Sequence, residues 1–155
     1  MTFYTDGSAH PNPGPGGYGV VGVKDDNILI ARSRQYTEKV TNNEMELKAI
    51  LYVMLMYGNP KDEWHQPYIV YSDSAYCVNT FNTWMFSWAK NGWIKSNKQT
   101  PENLDIIKAY YDLYQRGYRI DLRKIKGHAG HKYNELADKL ATGQYTESEV
   151  LNGRE

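Results

Sequence analysis

Four short acidic signatures lie far apart on the chain, in Tyr4-Thr5-Asp6-Gly7-Ser8, Asn43-Glu44-Met45-Glu46-Leu47, Tyr71-Ser72-Asp73-Ser74 and Asn134-Glu135-Leu136-Ala137-Asp138-Lys139. They read as one buried cluster of carboxylates, so the fold must carry distant segments to a common point. Left uncompensated, four such groups would repel one another and take up protons; a cluster of this kind implies a divalent cation as partner.

The segments between the acids show how they could converge. Thr2 to Asp6, Gly17 to Val23 and Ile28 to Tyr36 read as an antiparallel meander, with Asp25-Asp26-Asn27 as a turn and Asp6 at a strand end. Pro11-Asn12-Pro13-Gly14-Pro15-Gly16-Gly17 is a rigid turn that could also bring bare backbone close to a ligand. Thr41-Asn42-Asn43-Glu44 is a capping box, in which hydroxyl and carboxylate satisfy free backbone donors at a helix start. That helix is expected to reach about Tyr57, where Gly58 and Pro60 stop it. Tyr68-Ile69-Val70-Tyr71 is the continuous apolar run of a buried strand, with Asp73 at its carboxyl end.

Beyond Ala75 come one or two short tryptophan-rich helices. Thr100-Pro101-Glu102 then predicts a cap with proline in the first turn, opening a helix that ends near Gly117. Tyr118 to Ile125 is the last strand, Gly127-His128-Ala129-Gly130-His131 a loop, and Tyr133 to Ala141 a terminal helix carrying Glu135 and Asp138. The order predicts an α/β domain over residues 1–142, a mixed sheet with helices packed on it, followed by a frayed tail over 143–155. Ligands of such sheets gather at carboxyl ends of strands, where Asp6 and Asp73 both fall. The acids and the element order together point to metal-dependent phosphate chemistry.

A chain of 155 residues is long enough to bury a core without disulfides, and its single cysteine, Cys77, excludes an intramolecular one. That usage fits a reducing compartment, and with no apolar stretch long enough for a membrane span the expectation is a cytoplasmic protein. The formal net charge of zero argues against attachment to nucleic acid by bulk charge. The distribution argues the other way. From Trp84 to Thr100 there is no acid, and Lys90, Lys95 and Lys98 alternate with Trp84, Trp88 and Trp93.

With these residues in order, the chain resembles type 1 ribonuclease H from Phe3 to Ala141. The resemblance is carried by Thr5-Asp6-Gly7-Ser8, Asn12-Pro13-Gly14-Pro15-Gly16-Gly17, Thr41-Asn42-Asn43 with Met45-Glu46-Leu47, Asp73-Ser74, Lys126-Gly127-His128-Ala129-Gly130-His131 and Asn134 through Asp138. It implies a ribonuclease H-like five-stranded sheet, three antiparallel strands and then two parallel, flanked by helices. It also implies an endonuclease that cuts the RNA strand of RNA/DNA hybrids, leaving 3′-hydroxyl and 5′-phosphate ends. The resemblance assigns metal binding and catalysis to Asp6, Glu46, Asp73 and Asp138, with two Mg2+ ions in the substrate complex and Mn2+ as a substitute. His128 matches a mobile auxiliary histidine. Asn12, Asn42 and Asn43 fall where the hybrid's minor groove would lie. Lys39, Thr41 and Asn103 match positions that grip a DNA-strand phosphate, and Trp84, Trp88 and Trp93 match a basic protrusion. Lys39 stands where arginine is common, a point charge in place of a two-pronged contact. A monomer needing no protein partner is the simplest expectation.

Blander readings compete at individual positions. Glu44 is explained fully by its capping box and is left out of the site, whereas Glu46 has no capping role. His131 reads as structural, since no histidine falls in a zinc-like spacing with cysteine. The tryptophans could be core residues at helical spacing until the interleaved lysines are counted. A start at Met1 favours a free-standing enzyme over the corresponding domain of a reverse transcriptase, and the four intact acids with His128 favour an active enzyme over a silent hybrid-binding module.

Overall fold

The computed structural model describes residues 1–60, 67–125 and 131–153. β1 (Thr2–Ala9) lies at the centre of a five-stranded sheet whose order is β3-β2-β1-β4-β5. It pairs antiparallel with β2 (Gly14–Lys24) along its whole length and parallel with β4 (Ile69–Ser72) only from Thr2 to Tyr4. β3 (Asn27–Val40) is the long antiparallel edge strand, and β5 (Asp121–Lys124) closes the other side parallel to β4. The mixed sheet is the one the resemblance implies.

Helices cover both faces. α1 (Asn42–Tyr57) opens at the expected capping box: Thr41 Oγ1 accepts from Glu44 N at 3.1 Å and Glu44 Oε1 from Thr41 N at 3.4 Å. Its apolar side chains Leu47, Ala49, Ile50, Val53 and Met54 are fully buried beside Phe3, Val20, Val70 and Ile107. Each large aliphatic or aromatic side chain so removed from water contributes about 1.5–3 kcal/mol. α2 (Ala75–Asn79), a π-helical turn (Thr80–Trp84) and α3 (Met85–Lys90) run end to end, and α4 (Leu104–Gln115) packs against α1. On the opposite face, α5 (Lys132–Ala141) buries Ala137 and Leu140 with Tyr4, Val21, Ala31 and Ile125.

Three sequence expectations are corrected. β1 does not stop at Asp6: its pairing with β2 continues to Ala9 opposite Gly16, so Asp6 sits inside a strand, just past the point where β4 ceases to accompany it. The helix expected from Pro101 begins at Leu104, because Asn103 takes a left-handed conformation (φ 57°, ψ 34°) that interrupts the helical path, and Pro101 is buried. Asn and Asp are the residues besides Gly that tolerate this conformation best.

The third correction concerns the tail expected to fray. Glu147–Leu151 forms α6, capped by a second capping box between Thr146 and Glu149. Val150 is 2% exposed in the α5 core, and Glu147 Oε2 accepts a 2.8 Å hydrogen bond from Ser33 N on edge strand β3. The tail is held because an apolar anchor and a charge-assisted bond to an otherwise unpaired strand donor offset the entropy of ordering it. No helix among the described residues is long and apolar enough to cross a membrane.

Candidate active site

Two glycines on neighbouring strands allow the two flanking helices to approach the middle of the sheet. A Cβ at Gly7 would overlap Glu46 N and the Met45 carbonyl group, so only glycine lets α1 lie this close to β1. A Cβ at Gly19, the residue paired with Asp6, would overlap Ala137 O and come within 2.6 Å of Leu140 Cβ, so α5 also comes close. Asp6 is thereby set between Glu46 on α1 and Asp138 on α5. β4 delivers Asp73 to the same place, since Thr5 Oγ1 donates to Tyr71 O at 3.0 Å and ties the two strands just before they part. Past Asp73, Ser74 Oγ accepts from Cys77 N at 3.2 Å and starts α2.

One carboxylate oxygen from each of Asp6, Glu46 and Asp73 lies within 4.8 Å of the other two. Asp6 and Glu46 are buried and Asp73 is exposed, giving a site dry at its base and open at its rim. Asp138 is half-buried and outside that tightest group, yet its charge is felt at Asp6.

Burial is the main force on the two inner acids. It pushes Asp6 up to about 7, assisted by the charges of Asp73 and Asp138 and opposed by hydrogen bonds from Glu46 and from Gly7 N, the latter 2.9 Å from Asp6 Oδ1. Glu46 is raised well above the ordinary carboxylate range by burial and then by the Asp6 charge. Without a cation, therefore, burial and mutual repulsion favour the protonated form of both acids. Glu46 Oε2 is buried and has no hydrogen-bond partner among the described residues. An all-oxygen set with an orphaned buried acceptor fits a hard divalent cation, which would replace the proton and complete the bonding.

The residues expected at the substrate surface fall into three places. Asn12, exposed, accepts from Asn42 N at 3.1 Å, and Asn42 Oδ1 accepts from Ala9 N at 2.6 Å, so the proline-rich turn is tied to the start of α1 beside exposed Asn43. Thr41 is the α1 cap, and Lys39 is exposed near the end of β3. Asn103, at the α4 start, lies beside the Tyr76 side chain.

The tryptophans divide between surface and core. Trp84 is 40% exposed, whereas Trp88 and Trp93 lean on the main core, Trp93 edge-on to Tyr111 at 5.2 Å between ring centres. Trp84 and Trp88 line an open cavity of about 560 Å³ with Tyr76, Lys95 and Glu102. Trp84 is thus largely a surface residue, while Trp88 and Trp93 are partly built into the core. His128 and its flanking glycines, Gly127 and Gly130, lie outside the described residues. What sequence reasoning missed is the close-packing role of Gly7 and Gly19, whose only signal was their place in otherwise buried strands.

Comparison with known proteins agrees with this fold. The RNase H family profile matches residues 1–146. A Ribonuclease H from Thermoanaerobacter sp. (strain X514) is 36% identical, the alignment covering 100% of this chain and 96% of that protein. A Ribonuclease H from Shewanella denitrificans is 42% identical, over 91% of this chain and 84% of its own. Among solved structures, LC11-RNase H1 in complex with an RNA/DNA hybrid shares the fold with a TM-score of 0.64 and 24% identity, covering 97% of this chain and 98% of the other. The chain belongs to the RNase H family, and it is a nuclease of that family by profile, fold and curated relatives alike.

Proposed function

We propose that this protein is a divalent-metal-dependent endonuclease that hydrolyses the RNA strand of RNA/DNA hybrids, giving 3′-hydroxyl and 5′-phosphate ends. The observation that carries this reading is the convergence of Asp6, Glu46 and Asp73, with Asp138 felt electrostatically, around a buried acceptor that no donor among the described residues satisfies. Membership of the RNase H family supplies the reaction class.

Asp6, Glu46, Asp73 and Asp138 are the residues that would hold two Mg2+ ions, with Mn2+ as a substitute. Bound there, the ions would supply Lewis acidity toward the phosphate and a more acidic attacking water. The dry base formed by Asp6 and Glu46 strengthens any charge interaction made against it. The open rim at Asp73 leaves room for a phosphate to enter. His128 is, as a histidine, suited to carry a proton during attack or product departure.

Asn12, Asn42 and Asn43 form a short polar edge suited to the minor groove, where 2′-hydroxyls distinguish RNA from DNA. Lys39, Thr41 and Asn103 are assigned to a DNA-strand phosphate, and Trp84, Trp88 and Trp93 with their neighbouring lysines to the sugar face of that strand. A monomer acting in the cytoplasm without an obligate protein partner completes the proposal.

The test is a substrate panel: RNA/DNA hybrid, single-stranded RNA, duplex RNA and duplex DNA of one sequence, each labelled on one strand, in Mg2+. Cutting confined to the RNA strand of the hybrid is expected. Equal cutting of duplex RNA would overturn the specificity, and tight hybrid binding without cutting would make the protein a silent module.

A further inference from the structure

Asp138 stands in the last turn of α5, which ends at Ala141. The end turn of a helix is where carbonyls lack intrahelical partners and where the backbone frays. Asp6, Glu46 and Asp73 form one tight group without Asp138, yet its charge reaches Asp6. A carboxylate placed so near a helix end acts on the cluster from a fixed position only if that end is held from outside.

Edge strand β3 holds it. Gln35 Nε2 donates to Leu140 O at 3.0 Å and to Ala141 O at 3.1 Å. Ser33 Oγ donates to Leu140 O at 2.8 Å and accepts from Gln35 Nε2 at 3.2 Å. These donors meet the negative end of the helix, where they are most favourable. The approach depends on glycine on both sides of the amide. A Cβ at Gly17, the residue of β2 paired with Gln35, would overlap Gln35 Nε2 and stand 2.7 Å from Ala141 O. A Cβ at Gly143, where a φ of 78° turns the chain out of the helix, would stand 3.3 Å from Gln35 Oε1. Gln35 is an exposed residue, and an exposed glutamine ordinarily keeps its rotamer freedom. Here one amide is fixed to three acceptors, two of them the closing carbonyls of the helix that carries Asp138.

We infer that Gln35, together with Ser33, is a positioning residue: it clamps the C-terminal end of α5 and thereby sets where Asp138 stands toward the cation. The inference rests on the cation-binding reading proposed above. Partners that orient a metal ligand from outside are worth roughly 10–100-fold in metal affinity or activity.

The test compares wild type with Gln35→Met, which keeps the length without the donor, and Gln35→Lys, which restores a donor to the helix carbonyls. In EDTA, amide hydrogen exchange at Thr142, whose N–H bonds Asp138 O at 2.9 Å, should quicken by roughly fivefold in Gln35→Met, the weight of one ordinary hydrogen bond. In a Mg2+ titration followed by thermal unfolding of the substrate-free protein, Gln35→Met should need about tenfold more Mg2+, and Gln35→Lys should match the wild type in both measurements. Faster exchange with a wild-type Mg2+ midpoint would overturn the inference and leave Gln35 a purely structural contact. Unchanged exchange would overturn it too, since the helix end would then be held without Gln35. Losses that persist in Gln35→Lys would assign the effect to packing instead of the donated bonds and overturn it as well. No response to Mg2+ in the wild type would remove the cation reading itself, and this inference with it.

Discussion

Gly7 lies against the Glu46 backbone so closely that a single added methyl would overlap the Glu46 nitrogen. This contact sets the separation of β1 and α1, and through it the meeting of the Asp6 and Glu46 carboxylates. Gly7→Ala must push α1 away. The expected cost is about 1–3 kcal/mol of stability from overpacking. Activity should fall more than stability explains, since a misplacement of about 1 Å can cost on the order of 100-fold in rate. Urea unfolding and hybrid cleavage on the same preparation check both, and full activity in a destabilised variant would break the link between contact and site.

Removing Asp73 should separate function from stability. The residue is exposed and adds repulsion to a crowded acid cluster. Asp73→Asn is therefore expected to unfold no earlier than the wild type without metal, while losing cleavage by about 100-fold or more. Calorimetry in EDTA beside the cleavage assay checks this; a lower Tm would mean that Asp73 supports the fold.

The buried acids also fix a pH dependence. Asp6 titrates at about 7 in the folded protein against an ordinary 3.8, so between those values the native state holds a proton that the unfolded chain has released. Stability of the metal-free protein must then decline as pH rises through that window, the reverse of a salt-bridged carboxylate. Urea midpoints in EDTA should drop from pH 5 to pH 8, with a shallower drop in Asp6→Asn. Saturating Mg2+ should offset the decline most at the higher pH, because the cation replaces the proton. Equal slopes for wild type and Asp6→Asn would contradict this.

α6 gives a prediction remote from the chemistry. Val150 anchors it in the α5 core and Glu147 occupies the Ser33 donor on the sheet edge. Val150→Ala should cost on the order of 1–2 kcal/mol with cleavage unchanged below the transition. Chemical denaturation measures the cost. A loss of activity at full folding would show that α6 reaches the site.

Much of this architecture was legible in the chain. The Thr41 capping box located α1, the apolar run Tyr68 to Tyr71 located β4, and the acids following these signals were the ones brought together. What escaped depended on partners distant in sequence. Asp6 read as a strand end because nothing local shows that β2 accompanies β1 as far as Ala9. The left-handed turn at Asn103 moved the start of α4, and a backbone angle of that kind is set by tertiary fit rather than propensity. α6 is different: Thr146 and Glu149 repeat the spacing of Thr41 and Glu44, so its start carries a local signal in the sequence. The raised proton affinity of Asp6 and Glu46 could not be read at all, since it follows from burial.

The central claim is that the converged carboxylates act through a divalent cation on the RNA strand of a hybrid. The most direct measurement is cleavage of a hybrid labelled on its RNA strand, with Mg2+ and with EDTA, by wild type and Asp73→Asn, reading the chemistry of the product ends. The account predicts 3′-hydroxyl and 5′-phosphate ends, formed only with Mg2+ and lost in Asp73→Asn. Cleavage that persists in EDTA, or products ending in a 2′,3′-cyclic phosphate and a 5′-hydroxyl, would contradict it.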